Sequence, residues 1–298
     1  MNTLPSKTTH KIFSPARVSA IAGNTLLELV RLKVFYFLLL FALLIIGTAG
    51  FTSLFDFKIQ EQFQMLKDMC LGAMSIFTML LSILATAMML PKDIEDRTLY
   101  TILAKPVPRF EYLMGKLLGI FLLLLVSTLV MAAMFLLALY SKQQVAIAEQ
   151  VQGMTPAQAI ETARLIRAAI FTFSLIPGIA AIYLKAALFA ALTMLISTFA
   201  SSTIFTIFIA FTAYFIGSVE GIARGYWYSS GGSGQLAKIF LAIVALLFPD
   251  LQLFNLVDDV VAGNAIPMAM FLKTVALGVA YTGVYSLVAY VIFAFKEL

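Results

Sequence analysis

Long uninterrupted apolar runs alternate with short polar and basic segments along the whole chain. Most of the runs reach about 18 residues or more, which lets a helix cross a hydrocarbon layer of about 30 Å. They lack the ten-residue alternation of a barrel strand. Because lipid cannot satisfy backbone polar groups, the pattern predicts an all-α polytopic integral membrane protein with six transmembrane helices. The predicted spans are residues 34–51, 69–90, 112–140, 177–200, 203–221 and 267–295, within a single transmembrane domain over residues 1–298.

A further helix is predicted before the first span, at residues 14–33. Ser14 supplies a capping hydroxyl and Pro15 stands at the first helical position, and apolar residues then recur at helical spacing among charged ones. We expect an amphipathic interfacial helix on the inner membrane surface. The alternative is a cytosolic extension of the first span.

Two other segments do not fit complete spans. Residues 141–173 form a polar connection with a short helix at 156–169, which we place outside the membrane. The apolar run 239–251 is shorter than the roughly 20 residues that a span requires. It is predicted to be a re-entrant helix before the last span, although a complete crossing would give seven spans.

Composition and charge support the same class of protein. Hydrophobic residues make up 62% of the chain and charged residues 12%, which excludes an ordinary soluble domain. The net charge of +5 comes mainly from cations at the ends of the spans, so membrane lipid is the expected partner and nucleic acid is not. We expect a multi-pass protein of the cell (cytoplasmic or inner) membrane, and the bias of basic residues favours both termini in the cytoplasm.

The polar segment between the second and third spans carries the most specific pattern. Leu99, Ile102 and Leu103 form an apolar edge at helical spacing, acidic residues precede them, and Pro106 and Pro108 end the helix. The pattern predicts a short cytoplasmic helix at residues 92–105.

This segment resembles the coupling helix of permeases of the type-2 ABC exporter family. The matching features are Glu95, the pair Thr98-Leu99, Pro106-Val107 followed by Arg109, and Gly115-Lys116 at the start of the third span. Residues 25–33, 195–201 and 248–255 are also similar to that family. Arg97 departs from it, because the family often has glycine just before the Thr-Leu pair.

The resemblance implies a transport function without catalysis by this chain. Two permease subunits, as a homodimer or a heterodimer, would form the substrate pathway, and separate ABC ATPase subunits would hold ATP and Mg. The sequence has no phosphate-binding loop, so the resemblance implies no enzyme activity and no cofactor in this chain. The implied ATPase-docking residues are Glu95, Arg97, Thr98, Leu99, Ile102 and Leu103.

Two charged residues in apolar surroundings are further candidates. Lys185 lies within the fourth span, where it would face the pathway and attract an anion, or extend its ammonium to the interface. Glu220 would contribute to the pathway or pair with Arg224 one helical turn later. Gly115 and Gly119 allow close helix approach, either between subunits or within one.

Two other functions remain open. An ion-coupled secondary transporter is expected to contain internal repeats and several intramembrane acids. A noncatalytic membrane scaffold would have a sequence much like that of a permease. The transported substrate is not specified by the sequence.

Overall fold

The computed structural model describes residues 13–48, 58–95, 108–152, 154–170, 173–200, 202–229 and 249–295. The described residues are helical apart from caps and short connections. The helices are α1 (Pro15–Val30), α2 (Lys33–Thr48), α3 (Ile59–Glu95), α4 (Arg109–Val151), α5 (Pro156–Ile170), α6 (Leu175–Phe199), α7 (Thr203–Ser229), α8 (Val257–Ala262) and α9 (Met268–Phe295), with a 3-10 turn at Leu251–Phe254.

Four of the described helices, α3, α4, α6 and α9, are long and apolar enough to cross a membrane. Shorter apolar helical stretches occur at Leu38–Thr48 in α2 and Thr203–Val219 in α7. This architecture is that of an all-α, membrane-embedded protein. Six complete spans stay a prediction.

The two longest helices extend far beyond the apolar runs that predicted them. The predicted span 69–90 lies within α3, which begins at Ile59 and continues through Pro91 to Glu95. The predicted span 112–140 lies within α4, a helix of 43 residues. At 1.5 Å per residue α4 is about 65 Å long, roughly twice the thickness of the hydrocarbon layer. Hydropathy located the apolar parts of these helices and missed their polar extensions.

Two buried clusters show the directions of the helices. At the end where α4 begins, here called the proximal end, Met89 of α3 and Tyr112 of α4 belong to one cluster. At the opposite, distal end, Phe63 of α3 and Phe135 of α4 belong to the other. The early part of one helix therefore packs beside the late part of the next, and α3 and α4 are antiparallel.

The remaining long helices follow the same alternation. The beginning of α6, at Leu175, is in the distal cluster, whereas its end, at Ile196, is in the proximal cluster. Phe293, near the end of α9, is also in the proximal cluster. The end of α3, the beginning of α4 and the end of α9 thus lie together at the proximal end.

Helix α6 forms the centre of the bundle and contacts α3, α4, α7 and α9. Its middle is rich in alanine, and these small side chains let the neighbouring helices approach closely. The Ser82 hydroxyl of α3 donates a hydrogen bond to the Ala186 carbonyl of α6 at 2.7 Å. In contrast, α9 buries few residues and presents an apolar outer surface. That surface suits contact with lipid.

Two local predictions require correction. The Ser14 hydroxyl does not cap α1, although Pro15 occupies the first turn as predicted. The backbone N–H of Ser14 donates instead to the Glu111 carboxylate, which fixes the conformation of Ser14.

The polar stretch after Pro249 contains a 3-10 turn and α8, where no helix was predicted. Most of the re-entrant helix predicted at 239–251 lies outside the described residues, which resume at 249.

Candidate functional site

The predicted ATPase-docking segment is attached to the bundle at the proximal end. Glu95 is the last residue of α3, and its backbone alone is described. Arg97, Thr98, Leu99, Ile102 and Leu103 lie outside the described residues. The chain is described again from Pro108, immediately before α4. The segment 96–107 therefore joins two long helices that pack against each other.

A bidentate ion pair connects α1 to the first turn of α4. Arg17 donates from Nε to Glu111 Oε2 at 2.6 Å and from Nη2 to Glu111 Oε1 at 2.8 Å. The Ser14 backbone N–H also donates to Glu111 Oε1, at 2.7 Å. The Glu111 side chain is 1% exposed and that of Arg17 is 30% exposed. Because three donors satisfy the buried carboxylate, this contact fixes the start of α1 against α4.

Two glycines of α4 extend this contact along α1. A Cβ atom at Gly115 would lie 2.7 Å from the Ile21 side chain, and one at Gly119 would lie 2.5 Å from that of Thr25. The Gly115-x-x-x-Gly119 spacing is thus used within one subunit. Lys116, on the same stretch of α4, approaches Glu28 of α1 at 3.6 Å.

The last helix, α9, also contacts the first turn of α4. Arg109 Nη1 donates to the carbonyls of Phe293 and Ala294 at 3.1 and 2.8 Å. These carbonyls are in the last turn of α9, where a cation is favourable because of the helix dipole. The Tyr112 ring stacks on Phe293, with ring centroids 6.0 Å apart. α1, α4 and α9 are therefore joined around the residues that follow the segment 96–107.

Lys185 lies in a different place, between Ile182 of the distal cluster and Ala186 of the proximal cluster on α6. Its ammonium is over the Tyr214 ring, 5.4 Å from the centroid, and it lines a cavity of about 340 Å3. Asp68 of α3 and Asp258 of α8 line the same cavity, together with the polar side chains of the 3-10 turn. Lys185 therefore faces a cavity that polar and charged side chains also line.

The other predicted site residue is not tested by these contacts. Glu220 lies in α7, and its side chain and that of Arg224 are outside the described residues. Among the residues that the structure describes, no group of three or more His, Cys, Asp or Glu side chains is arranged to hold a metal ion.

Sequence reasoning missed the Arg17–Glu111 pair and the acidic residues of the cavity. The pair joins residues 94 positions apart, so no helical spacing indicates it. Asp68 lies before a predicted span and Asp258 lies in a connection, where carboxylates are ordinary. Only the presence of Lys185 in an apolar run pointed to the cavity.

No protein-family model matches this chain, and no curated protein matches it either. The resemblance to ABC exporter permeases therefore rests on the ordered motifs of the sequence.

Proposed function

We propose that this chain is the transmembrane permease subunit of an ATP-binding-cassette exporter. Two such subunits, in a homodimer or a heterodimer, form the substrate pathway across the cell membrane. Separate ATPase subunits, which hold ATP and Mg, dock on the cytoplasmic segment 92–105 and drive transport. Both termini of the chain are cytoplasmic.

The observation that carries this proposal is that side-chain contacts hold together the helices next to the docking segment. A partner that pushes on residues 96–107 acts directly on the end of α3 and the beginning of α4. The Arg17–Glu111 pair and the Arg109 contacts join that part of α4 to α1 and α9. A displacement there is thus shared among several helices, as the rigid-body movement of a packed bundle requires.

The directions of the helices agree with this topology. Ser14, near the beginning of the chain, and Phe293, near its end, both contact the first turn of α4. An even number of crossings brings both termini to one side, as six spans with cytoplasmic termini require. The segments that the six-span prediction assigns to this side are the more basic ones in the sequence, in line with the positive-inside rule.

The proposal is tested by recovering the partner from the native membrane. The full-length protein is solubilised in mild detergent and purified by a tag, and co-purifying ATPases are identified by mass spectrometry. The same is done with a Glu95→Arg, Leu99→Asp variant, which reverses one docking charge and places a carboxylate on the apolar edge. We expect a P-loop ATPase with the wild type and its loss from the variant.

A matched control carries the same kinds of change on the exposed surface of α5. Ile160 and Glu161 are both exposed there, so an Ile160→Asp, Glu161→Arg variant should keep the ATPase. Retention of the ATPase by the docking variant would show that residues 92–105 do not bind it. If the folded wild type recovers no ATPase, a secondary transporter or a scaffold becomes the better interpretation.

A further inference from the structure

The cavity around Lys185 collects charged and polar side chains from separate parts of the chain. Asp68 and Ser75 come from α3, Lys185 from α6, Tyr214 and Ser218 from α7, and Asp258 from α8. The distal cluster residues Leu66 and Cys70 flank Asp68 in α3, and Val257 precedes Asp258. Leu251, which also lines the cavity, belongs to the proximal cluster, so the cavity lies between the two clusters and away from the proposed docking segment.

Lys185 has no fixed anionic partner in the part of the chain that the structure describes. Neither Asp68 nor Asp258 forms an ion pair with its ammonium, whose described contact is the Tyr214 ring. Asp258 instead accepts a hydrogen bond from the Asn255 side-chain amide at 2.8 Å. An ammonium about ten residues into an apolar helix is costly unless a polar group or a ligand compensates it. The cavity thus presents a cation that is available to bind an anion.

The charges of the lining restrict the kind of ligand. One ammonium and two carboxylates face the same space, so a purely anionic ligand would meet the repulsion of Asp68 and Asp258. A purely cationic ligand would meet the repulsion of Lys185. A molecule with an anionic group and an amine satisfies both signs at once, as electrostatic complementarity requires.

We propose that this cavity is a binding site for a small zwitterion that carries a primary amine and an anionic group. The anionic group binds the Lys185 ammonium, and the amine faces Asp68 and Asp258. The volume of about 340 Å3 is at the lower end of the range for ligand pockets, about 300–1,000 Å3, which suits a small molecule or a headgroup. Free amino acids and phosphatidylethanolamine headgroups share this chemistry.

The site is tested by direct binding to the purified full-length protein in nanodiscs of phosphatidylglycerol. The labelled probes are L-serine and glycerophosphoethanolamine, and the unlabelled competitors are ethanolamine, with the amine alone, and lactate, with the carboxylate alone. We expect at least one probe to bind. Both competitors should bind at least about tenfold more weakly than that probe, because each competitor carries only one of the two charges. Lactate or ethanolamine binding as tightly as the zwitterions would overturn the proposal, and so would binding of neither probe.

Variants assign the binding to this cavity. Lys185→Met keeps the length of the side chain without its charge and should raise the Kd by about tenfold or more. Asp68→Asn changes an exposed side chain, so it should fold normally and should also weaken binding. Lys273→Met, at an exposed position of α9 that does not line the cavity, is the control and should leave the Kd unchanged. Unchanged binding by both cavity variants would refute the site.

The lipid composition distinguishes the two sources of the ligand. If the headgroup is the natural occupant, nanodiscs containing phosphatidylethanolamine should bind the soluble probes more weakly, by competition. If the occupant is a free amino acid, L-serine should bind equally well in both kinds of nanodisc. This proposal does not depend on an ATPase partner, so it can fail or succeed independently of the exporter assignment.

Discussion

Arg17 and Glu111, 94 residues apart in the sequence, form a bidentate ion pair in which both carboxylate oxygens accept from the guanidinium. The carboxylate is buried and the guanidinium is partly exposed. The pair ties α1 to the first turn of α4, immediately after the proposed docking segment. Removing the arginine should destabilise the protein by more than the intact pair stabilises it, because a buried charge is then left without its main partner.

Arg17→Met should lower the free energy of unfolding by about 2–3 kcal/mol, since the buried Glu111 carboxylate keeps only the Ser14 N–H. Adding Glu111→Leu should recover part of the loss, because the uncompensated charge is then removed. Unfolding in detergent is followed with a fluorogenic maleimide. Cys70 is the single cysteine of the chain and is buried, so its reaction reports unfolding.

The matched control for this pair is Arg31→Met, which removes an exposed arginine at the end of the same helix. It should change the stability by less than about 0.5 kcal/mol. Equal effects of the Arg17 and Arg31 variants would mean that the ion pair contributes nothing specific.

A second prediction concerns the close contact of α1 with α4. A Cβ at Gly119 would lie 2.5 Å from the Thr25 side chain and 2.8 Å from the Ala22 carbonyl oxygen. Gly119→Ala should therefore separate the two helices and cost about 1–3 kcal/mol, as overpacking does. The maleimide unfolding assay measures the difference.

Gly23→Ala is the same substitution in a helix, at a position with no atom within 4 Å of the added Cβ. It should raise stability by about 0.5–1 kcal/mol, because alanine restricts the unfolded chain and favours the helix. If Gly119→Ala raises stability as well, helix propensity rather than packing determines the effect.

The contacts of Arg109 predict a local effect at the end of the last helix. Arg109→Met removes the donor to the carbonyls of Phe293 and Ala294, so the last turn of α9 should open more often. Hydrogen exchange measured by mass spectrometry should become faster in the peptide that ends near Phe295. A peptide covering Met268 to Thr274, at the other end of α9, is the internal control and should be unchanged. Uniformly faster exchange along α9 would instead indicate a loss of its packing on α6.

The sequence was most informative where an apolar run begins and ends abruptly. The ends of the predicted spans 177–200 and 267–295 differ by at most two residues from those of α6 (Leu175–Phe199) and α9 (Met268–Phe295). The agreement is close because proline and polar residues flank these apolar runs. α4 continues beyond Tyr140 into polar sequence that hydropathy takes for a connection. In that part Lys142 and Gln143 are buried, so tertiary contacts sustain the helix.

The candidate sites were harder to predict because they are made by contacts between distant segments. Lys185 was recognised from its apolar surroundings alone, whereas its neighbours Asp68 and Asp258 have no local pattern that marks them. The Arg17–Glu111 pair could not be predicted for the same reason. Periodicity describes one helix at a time and contains no information about which helices meet.

The alternating directions of the helices predict which positions share a side of the membrane. Ser19 of α1 and Ser202, between α6 and α7, are exposed and belong to the proximal end, whereas Glu161 of α5 is exposed and belongs to the distal end. Each is replaced by cysteine in turn, and the buried Cys70 can stay because it should react slowly in the folded protein. Sealed right-side-out vesicles are treated with a membrane-impermeant maleimide, with and without permeabilisation.

We expect Glu161→Cys to be labelled in the sealed vesicles and Ser19→Cys and Ser202→Cys only after permeabilisation. The unmodified protein gives the background of Cys70. Labelling of Ser19→Cys and Ser202→Cys on opposite sides would mean that the chain crosses the membrane an odd number of times between them. In that case one of the helices from α2 to α6 would not be a span, or the chain between them would cross once more, and the six-span topology would have to be abandoned.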